Sequence, residues 1–209
     1  NSVPAYPTGG VNIMRWTSPK LTPEFASASH NIGGFFGTDA TDLWAVGSFE
    51  QGGGTLGLVL HSNGDGTWTR QTFQPQPGTL YLGSLSAVWA SGKGDVYAAS
   101  GSSRAGTTGI FRCSGPGTAW RTETDPMNPP QIYGLWGSGP MDVWAVGIAV
   151  RGSDYNALIL RSHGDGNWAG DPDIKAADLA NHPLSAVWGS RFGDVYAVGH
   201  GGLILHKRE

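Results

Sequence analysis

The sequence predicts an all-β fold made of four copies of one unit, and three observations support this prediction. The segment Asp-Val-Trp-Ala-Val-Gly at residues 142–147 recurs with aspartates at Asp42, Asp95 and Asp194, at spacings of 53, 47 and 52 residues (95−42, 142−95, 194−142). A period near 50 is typical of propellers and other repeat arrays. Each copy is rich in β-branched and aromatic residues. The chain also has 34 glycines and only 14% charged residues, which favours many tight turns.

Each unit is predicted to contain four short strands. The first ends on an aromatic and a small residue, as in residues 134–137, and the second is the repeated segment. The third is an aliphatic run, as in residues 158–161, and the fourth carries a lone tryptophan after a glycine turn, as in residues 166–169. The predicted unit bounds within one domain, 1–209, are 32–73, 85–124, 132–170 and 184–207.

The last unit stops after its third strand, whereas a short segment at residues 12–17 precedes the first unit. Trp16 lies 52 residues before Trp68 (68−16), which matches the period of the repeat. We therefore expect residues 12–17 to complete the last unit and to close a four-bladed β-propeller, because closure removes exposed sheet edges. The alternatives are an eight-unit ring of two chains and a fragment of a longer ring.

Aromatic residues occupy the same positions in every unit, so we interpret them as packing between adjacent sheets rather than as a sugar platform. The aspartates that open the repeated segments are interpreted as acceptors of backbone N–H bonds, with a ring around an axial cation as the alternative. The three aromatic columns are Trp16, Trp68, Trp120 and Trp168; Phe36, Trp89, Trp136 and Trp188; and Trp44, Tyr97, Trp144 and Tyr196.

The Trp-Gly-Ser…Asp-Val-Trp-Ala-Val-Gly…Ile-Leu…Gly…Trp pattern is clearest in residues 134–168. It resembles bacterial propeller repeats known mostly from exported proteins, and the resemblance covers nearly the whole chain from Trp16 onward. Residues 62–68 also loosely resemble the Asp-box hairpin of sialidase-type propellers, with glycine where the box has its aspartate. The resemblance implies a propeller fold and a secreted or extracellular location. It carries over no catalytic residues.

Composition argues against several classes of partner. The formal net charge is −3 and there is no cluster of lysine or arginine, so neither nucleic acid nor an anionic membrane surface is an expected partner. No apolar run is long enough to span a bilayer. Cys113 is the single cysteine, which excludes an intramolecular disulfide and a paired-cysteine zinc site. We expect no cofactor, and a monomer or weak homo-oligomer.

One face of the predicted disc carries long connections, namely residues 48–56, 100–108 and 148–156 between strands two and three, and 72–83 and 170–183 between units. Binding residues concentrate on such loops when a rigid scaffold holds them. We therefore predict a non-catalytic module that binds carbohydrate, in the manner of a lectin, or a protein surface. The candidate ligand-binding residues are Glu50, Arg104, Arg151, Asp154, Tyr155, Asn156 and His200.

Two other functions remain open. A small hydrolase or lyase with its site at the axial mouth of the same face would draw its acid, base or oxyanion partner from His30, His182, His200, Glu50, Arg104, Arg151 and Asp154. No nucleophile elbow, metal motif or phosphate loop accompanies them. His30, His182 and His200 would converge if the ring closes, and they are candidate ligands for a transition metal. A structural spacer in a larger complex is the third hypothesis.

Overall fold

The computed structural model describes residues 11–17, 20–73, 83–101, 108–124, 130–151, 154–171, 174, 179 and 181–208. Within these ranges the chain forms one two-stranded, three four-stranded and one three-stranded antiparallel sheet. The predicted all-β architecture of repeated four-stranded sheets is confirmed at this level. No helix in the described part of the chain is long and apolar enough to cross a bilayer.

A hairpin of β1 (Val11–Thr17) and β2 (Lys20–Ser27) precedes the units. The first unit contains β3 (His30–Asp39), β4 (Asp42–Gln51), β5 (Gly54–Ser62) and β6 (Thr69–Arg70). The second contains β7 (Leu85–Gly92), β8 (Asp95–Ser100), β9 (Gly109–Cys113) and β10 (Arg121–Thr122). The third contains β11 (Gln131–Gly139), β12 (Asp142–Arg151), β13 (Asp154–Ser162) and β14 (Ala169–Gly170). The fourth contains β15 (Leu184–Arg191), β16 (Asp194–Gly199) and β17 (Ile204–Arg208), with a 3₁₀ turn at His200–Gly202.

Successive sheets pack face to face, and the hydrophobic core lies between them. One buried cluster joins Trp44 and Val46 of the first unit to Phe111 and Trp120 of the second. A separate cluster joins the second unit to the third, and another joins the third to the fourth. Alternate residues of each strand point to opposite faces, so every inner sheet contributes to two clusters. This stacking of four-stranded meanders is a propeller-type repeat fold.

The amino-terminal strand does not complete the last unit. β1 pairs with β2, with Trp16 opposite Leu21. The register places Arg15 opposite Thr22, as Arg112 of the third strand β9 lies opposite Arg121. β1 is therefore equivalent to a third strand and β2 to a fourth. The prediction for residues 12–17 is wrong. The spacing of Trp16 matches that of the fourth-strand tryptophans, but this residue lies on a strand equivalent to a third strand.

Contacts to the next unit confirm this equivalence. The guanidinium of Arg15 donates from Nη2 to the Gly64 carbonyl at 2.8 Å. Arg112 of the second unit donates from Nη1 to the carbonyl of Gly164, at the same turn of the third unit, at 2.7 Å. The hairpin β1–β2 thus packs on the first unit as the outer half of a preceding sheet, with Ile13 and Phe25 against the cluster that contains Leu58.

Two of the predicted long loops are paired strands. β4 and β5 pair as far as Gln51 opposite Gly54, and the turn between them is Gly52-Gly53 with φ of 61° and 79°. Positive φ at both central residues matches the right-handed twist of a two-residue hairpin, and glycine adopts it without strain. β12 and β13 pair in the same way as far as Arg151 opposite Asp154. In the other predicted loops, residues 74–82, 102–107, 172–173, 175–178 and 180 lie outside the described residues.

Candidate functional site

A side-chain network repeats around the aspartate that opens the second strand of each unit. In the first unit Thr38 Oγ1 donates to Asp42 Oδ2 at 2.6 Å and Trp44 Nε1 donates to Oδ1 at 3.0 Å. His61 Nε2 lies 2.9 Å from the same Oδ1. The other networks contain Ser91, Asp95 and Arg112; Ser138, Asp142, Trp144 and Arg161; and Ser190, Asp194 and His206. These aspartates were predicted to accept backbone N–H bonds. In the described chain their partners are instead side chains of the same sheet.

The network of the fourth unit contains serine, aspartate and histidine, the residue types of a hydrolytic triad. Ser190 and His206 both contact Asp194, so the serine hydroxyl donates to the carboxylate and not to the imidazole. A nucleophile needs the opposite arrangement, with the base at its hydroxyl. The Ser190 hydroxyl, and then His206, lower the pKa of Asp194. The network holds strands together, and it gives the predicted hydrolase no nucleophile.

The fourth unit differs from the others in how its outer face is covered. Trp89 of the second unit is 4% exposed because the third unit packs on it, whereas Trp188, at the same position in the fourth unit, is 60% exposed. Ile204 on the same face is 68% exposed. The aromatic columns are therefore confirmed as packing for Trp44, Trp89, Trp120 and Trp144, and this prediction is wrong for Trp188.

A cavity of about 250 Å³ lies between the third and fourth sheets. Its walls are mostly apolar, and the charged side chains of Asp171 and Lys207 lie at one side. Asp171 is 2% exposed at its side chain, and its Oδ2 is 3.0 Å from Lys207 Nζ. The apolar walls come from Trp144, Val146 and Ile159 of the third unit and from Val187, Ala197 and Leu205 of the fourth.

Tryptophans of fourth strands fill the equivalent space between the other units. Trp120 of the second unit packs edge-on against Trp44 of the first, with ring centroids 6.4 Å apart. Trp168 of the third unit packs in the same geometry on Tyr97 of the second, at 6.1 Å. Trp144 holds the position of Trp44 and Tyr97 in the third unit. The sheet that follows it has three strands in the described chain, so no such indole reaches Trp144 there.

Carboxylates accept the N–H of these indoles in two places. Trp68 Nε1 donates to Glu24 Oε2 at 3.2 Å, and Trp168 Nε1 donates to Glu123 Oε2 at 3.1 Å. Glu123 lies two residues beyond Arg121, the residue paired with the third strand, and Asp171 lies two residues beyond the equivalent Ala169. Asp171 is therefore the residue of the third unit that corresponds to these indole acceptors.

Strand β17 lies at the edge of its sheet, next to the cavity, in the order β15-β16-β17. In the complete units, the third strand accepts a bond from the fourth: Gln71 N donates to the Val59 carbonyl and Glu123 N to the Ile110 carbonyl, both at 2.9 Å. Ile204 holds the equivalent position in β17. Among the described residues, the cavity lies beside this edge.

The loop residues predicted to bind a ligand lie on different sheets. Arg151, Asp154, Tyr155 and Asn156 are at the end of the β12–β13 hairpin, where Tyr155 is 53% exposed. Glu50 is at the equivalent hairpin of the first unit and accepts a bond from Thr55 Oγ1 at 2.7 Å. His200 opens the 3₁₀ turn of the fourth unit, and Arg104 lies outside the described residues. Ligand binding by these residues stays a prediction.

The three histidines predicted to converge belong to opposite ends of the stack. His30 lies between Phe25 and Phe49, with ring centroids at 5.6 and 5.5 Å. Burial, and then the charge of Arg70, lower the pKa of His30. His182 and His200 do lie together, with His182 Nδ1 3.4 Å from the His200 carbonyl. Within the part of the chain that the structure describes, no group of three potential ligands is arranged to hold a metal.

Sequence reasoning did not single out Asp171, which lines the cavity. Its signal is one of register, because Asp171 lies two residues beyond Ala169 as Glu123 lies two residues beyond Arg121.

No protein-family model and no curated protein matches this chain. Among solved structures it is similar to "YCF48 bound to D1 peptide", with 15% identity and a TM-score of 0.45, over 96% of this chain and 73% of that chain. It is also similar to YCF48 from Cyanidioschyzon merolae, with 10% identity and a TM-score of 0.31, over 86% of this chain and 96% of that chain. The likeness to exported bacterial repeats stays a prediction.

Proposed function

We propose that this protein is a non-catalytic recognition module that binds a protein surface through the end of the β12–β13 hairpin. The observation that carries the proposal is Tyr155, which is 53% exposed at this end. Thr55 holds the equivalent position in the β4–β5 hairpin, so the repeat itself does not require an aromatic ring there. Binding residues concentrate on such projecting segments of a rigid scaffold.

A tyrosine offers a large contact area at low conformational-entropy cost. A single hairpin end covers far less area than a stable protein–protein interface, so the expected affinity is micromolar to millimolar and the complex is transient.

The variant Tyr155→Ala tests the hairpin end. We expect the proteins that the immobilised wild-type module retains from a protein mixture to be lost with Tyr155→Ala. Met141→Ala is the matched control, because Met141 is also exposed (70%) but lies at the opposite end of β12, and it is expected to retain them.

Equal retention by the wild-type protein and Tyr155→Ala would contradict the proposal. If the wild-type protein retains no protein but binds a saccharide on a glycan array, the partner is carbohydrate and the proposal is overturned.

A further inference from the structure

We infer that Ser27 is a nucleophilic serine that takes up the acyl group of an activated carboxylic ester, with His30 as its base. This modification site lies at the turn between β2 and β3, and it is independent of the hairpin end proposed above to bind a protein. The observation that carries it is a serine hydroxyl in contact with an imidazole, which is the arrangement that the network of the fourth unit lacks.

A short connection between two sheets brings the hydroxyl to the ring. β2 ends at Ser27 and β3 begins at His30, so only two residues join the hairpin β1–β2 to the first unit. Ser27 Oγ contacts His30 Nδ1, and Ser29 Oγ lies 3.1 Å from the same nitrogen. The Ser29 carbonyl accepts a bond from Glu50 N at 3.0 Å, which fixes the turn on β4. The backbone therefore holds both hydroxyls at the imidazole.

Two phenylalanines hold the imidazole in place and keep it neutral. Phe25 packs edge-on against His30, and Phe49 stacks on it, with interplanar angles of 78° and 22°. Because burial, and then the charge of Arg70, lower the pKa of His30, the ring is neutral at neutral pH. In the tautomer with its proton on Nε2, the lone pair is on Nδ1, where it accepts the Ser27 proton.

The reaction that this pair supports is acyl transfer. As Ser27 Oγ bonds to the carbonyl carbon of the ester, its proton passes to His30 Nδ1, and the bond from that carbon to the leaving oxygen breaks. The proton then moves from Nδ1 to the leaving oxygen, which departs as an alcohol or a phenol. The products are an ester of Ser27 and a neutral His30.

The surroundings of the imidazole select the class of donor. Among the described residues, none with a carboxylate contacts His30, whereas a carboxylate orients the histidine of a hydrolytic triad. The base is therefore weaker than in a triad, so the donor must have a good leaving group, as an aryl ester has. For the same reason water attacks the ester of Ser27 slowly, and the acyl group stays on the protein as a stable modification.

The test treats the whole protein with p-nitrophenyl acetate. We expect a burst of p-nitrophenol followed by slow release, and an acetyl group on Ser27 that tandem mass spectrometry of peptides locates. Ser27→Ala is expected to lose the burst. Ser29→Ala is the matched control, because its hydroxyl contacts the same nitrogen at a longer distance, and it is expected to keep the burst.

Two further measurements isolate the contribution of the imidazole. Ser190 is an internal control in the wild-type protein, because its hydroxyl donates to the Asp194 carboxylate, and we expect it to stay unmodified while Ser27 reacts. His30→Gln keeps a polar side chain but removes the base, and it is expected to slow acetylation of Ser27 by about 10²–10⁴-fold. Circular dichroism confirms that each variant is folded.

The outcomes are distinguishable. If Ser27 is not acetylated in the wild-type protein, or reacts no faster than Ser190, the inference is overturned. If Ser29 is acetylated in place of Ser27, the assignment of the nucleophile is overturned. If His30→Gln reacts at the wild-type rate, the role of the base is overturned. Tyr155→Ala is expected to react as the wild-type protein does, so none of these results bears on the proposed function.

Discussion

Two boundaries between units differ in how completely side chains fill them. The boundary between the second and third units is filled, and the boundary between the third and fourth units is not. In the first, Trp168 and Trp89 fill the space from both sheets, and Trp89 is 4% exposed. In the second, a cavity of about 250 Å³ remains beside Trp144. The difference lies in the fourth strand, which the third sheet has and the fourth sheet lacks in the described chain.

This comparison shows what a fourth strand contributes in this fold. β6, β10 and β14 are only two residues long as strands. Their main contribution is the tryptophan next to each of them, which packs on the preceding unit. In the described chain, the fourth unit keeps its own network of aspartate, serine and histidine, with a cavity on one face of its sheet and the exposed Trp188 on the other.

The largest expected difference comes from one substitution made at two equivalent positions. Trp89→Ala removes a buried indole and is expected to lower the free energy of unfolding by about 3–5 kcal/mol. Trp188→Ala removes an indole that is 60% exposed and is expected to change it by less than about 1 kcal/mol. Urea denaturation of both variants checks the pair. Equal losses would mean that the face of the fourth unit is covered in solution.

The next effect concerns the glycine that each indole covers. A Cβ at Gly137 would lie 2.6 Å from the ring of Trp89 and 2.7 Å from the Asp142 carbonyl, so Gly137→Ala is expected to destabilise by about 1–3 kcal/mol. At Gly37 the close neighbour is the flexible end of Leu43, and the nearest backbone atoms are at 3.5 Å. Gly37→Ala should therefore destabilise less, and thermal denaturation of both variants measures the difference. A larger loss at Gly37 would contradict the assignment.

The cavity itself predicts effects of opposite sign. Ala197 lines the cavity, so Ala197→Val is expected to stabilise the protein by about 0.5–1 kcal/mol. Ala98 is the equivalent residue in the filled cluster between the first and second units, and Ala98→Val is expected to destabilise by about 1–3 kcal/mol. Chemical denaturation measures both. Destabilisation by Ala197→Val would show that the cavity does not accept added volume.

The smallest expected effect is electrostatic. The pKa of Asp194 lies below its ordinary value of 3.8, chiefly because of the bond from Ser190. The folded state thus binds this proton less tightly than the unfolded state, so the stabilisation is present above about pH 3.8 and is lost as the pH falls through the lowered pKa.

Ser190→Ala is expected to raise the pKa of Asp194 towards 3.8, as followed by the NMR signal of its side-chain carboxyl. Asp165 is the internal control, because Asn167 lowers its pKa independently of Ser190. A pKa of Asp194 that does not move in the Ser190→Ala variant would contradict the role given to the hydroxyl.

Much of the fold could be predicted because the repeat appears directly in the sequence. The aspartates that open β4, β8, β12 and β16 are where the pattern predicts them, and each begins its strand. The turn at Gly52-Gly53 and the paired strand ends Arg151 and Asp154 were predicted as part of long loops, because the hairpins extend beyond the repeated segment. Hairpin length depends on pairing with a partner strand, which the repeated segment alone does not specify.

The candidate site could not be predicted for a related reason. Trp16 has the right spacing for a fourth strand, and only its pairing with Leu21 shows that β1 is equivalent to a third strand. Likewise, nothing in the sequence distinguishes Asp171 from the other acidic residues. Its correspondence to Glu24 and Glu123 becomes visible only when the residue pairs of their sheets are aligned.

The sequence by itself determined the repeat, the strand pattern within each unit and the aromatic positions, because these features depend on local periodicity and on a hydrophobic face that every unit must bury. The tertiary structure decided which strand completes which sheet, and hence where the cavity and the exposed face lie. Strand pairing is a competition between distant segments for the same backbone hydrogen bonds, and register and packing across the interface decide it.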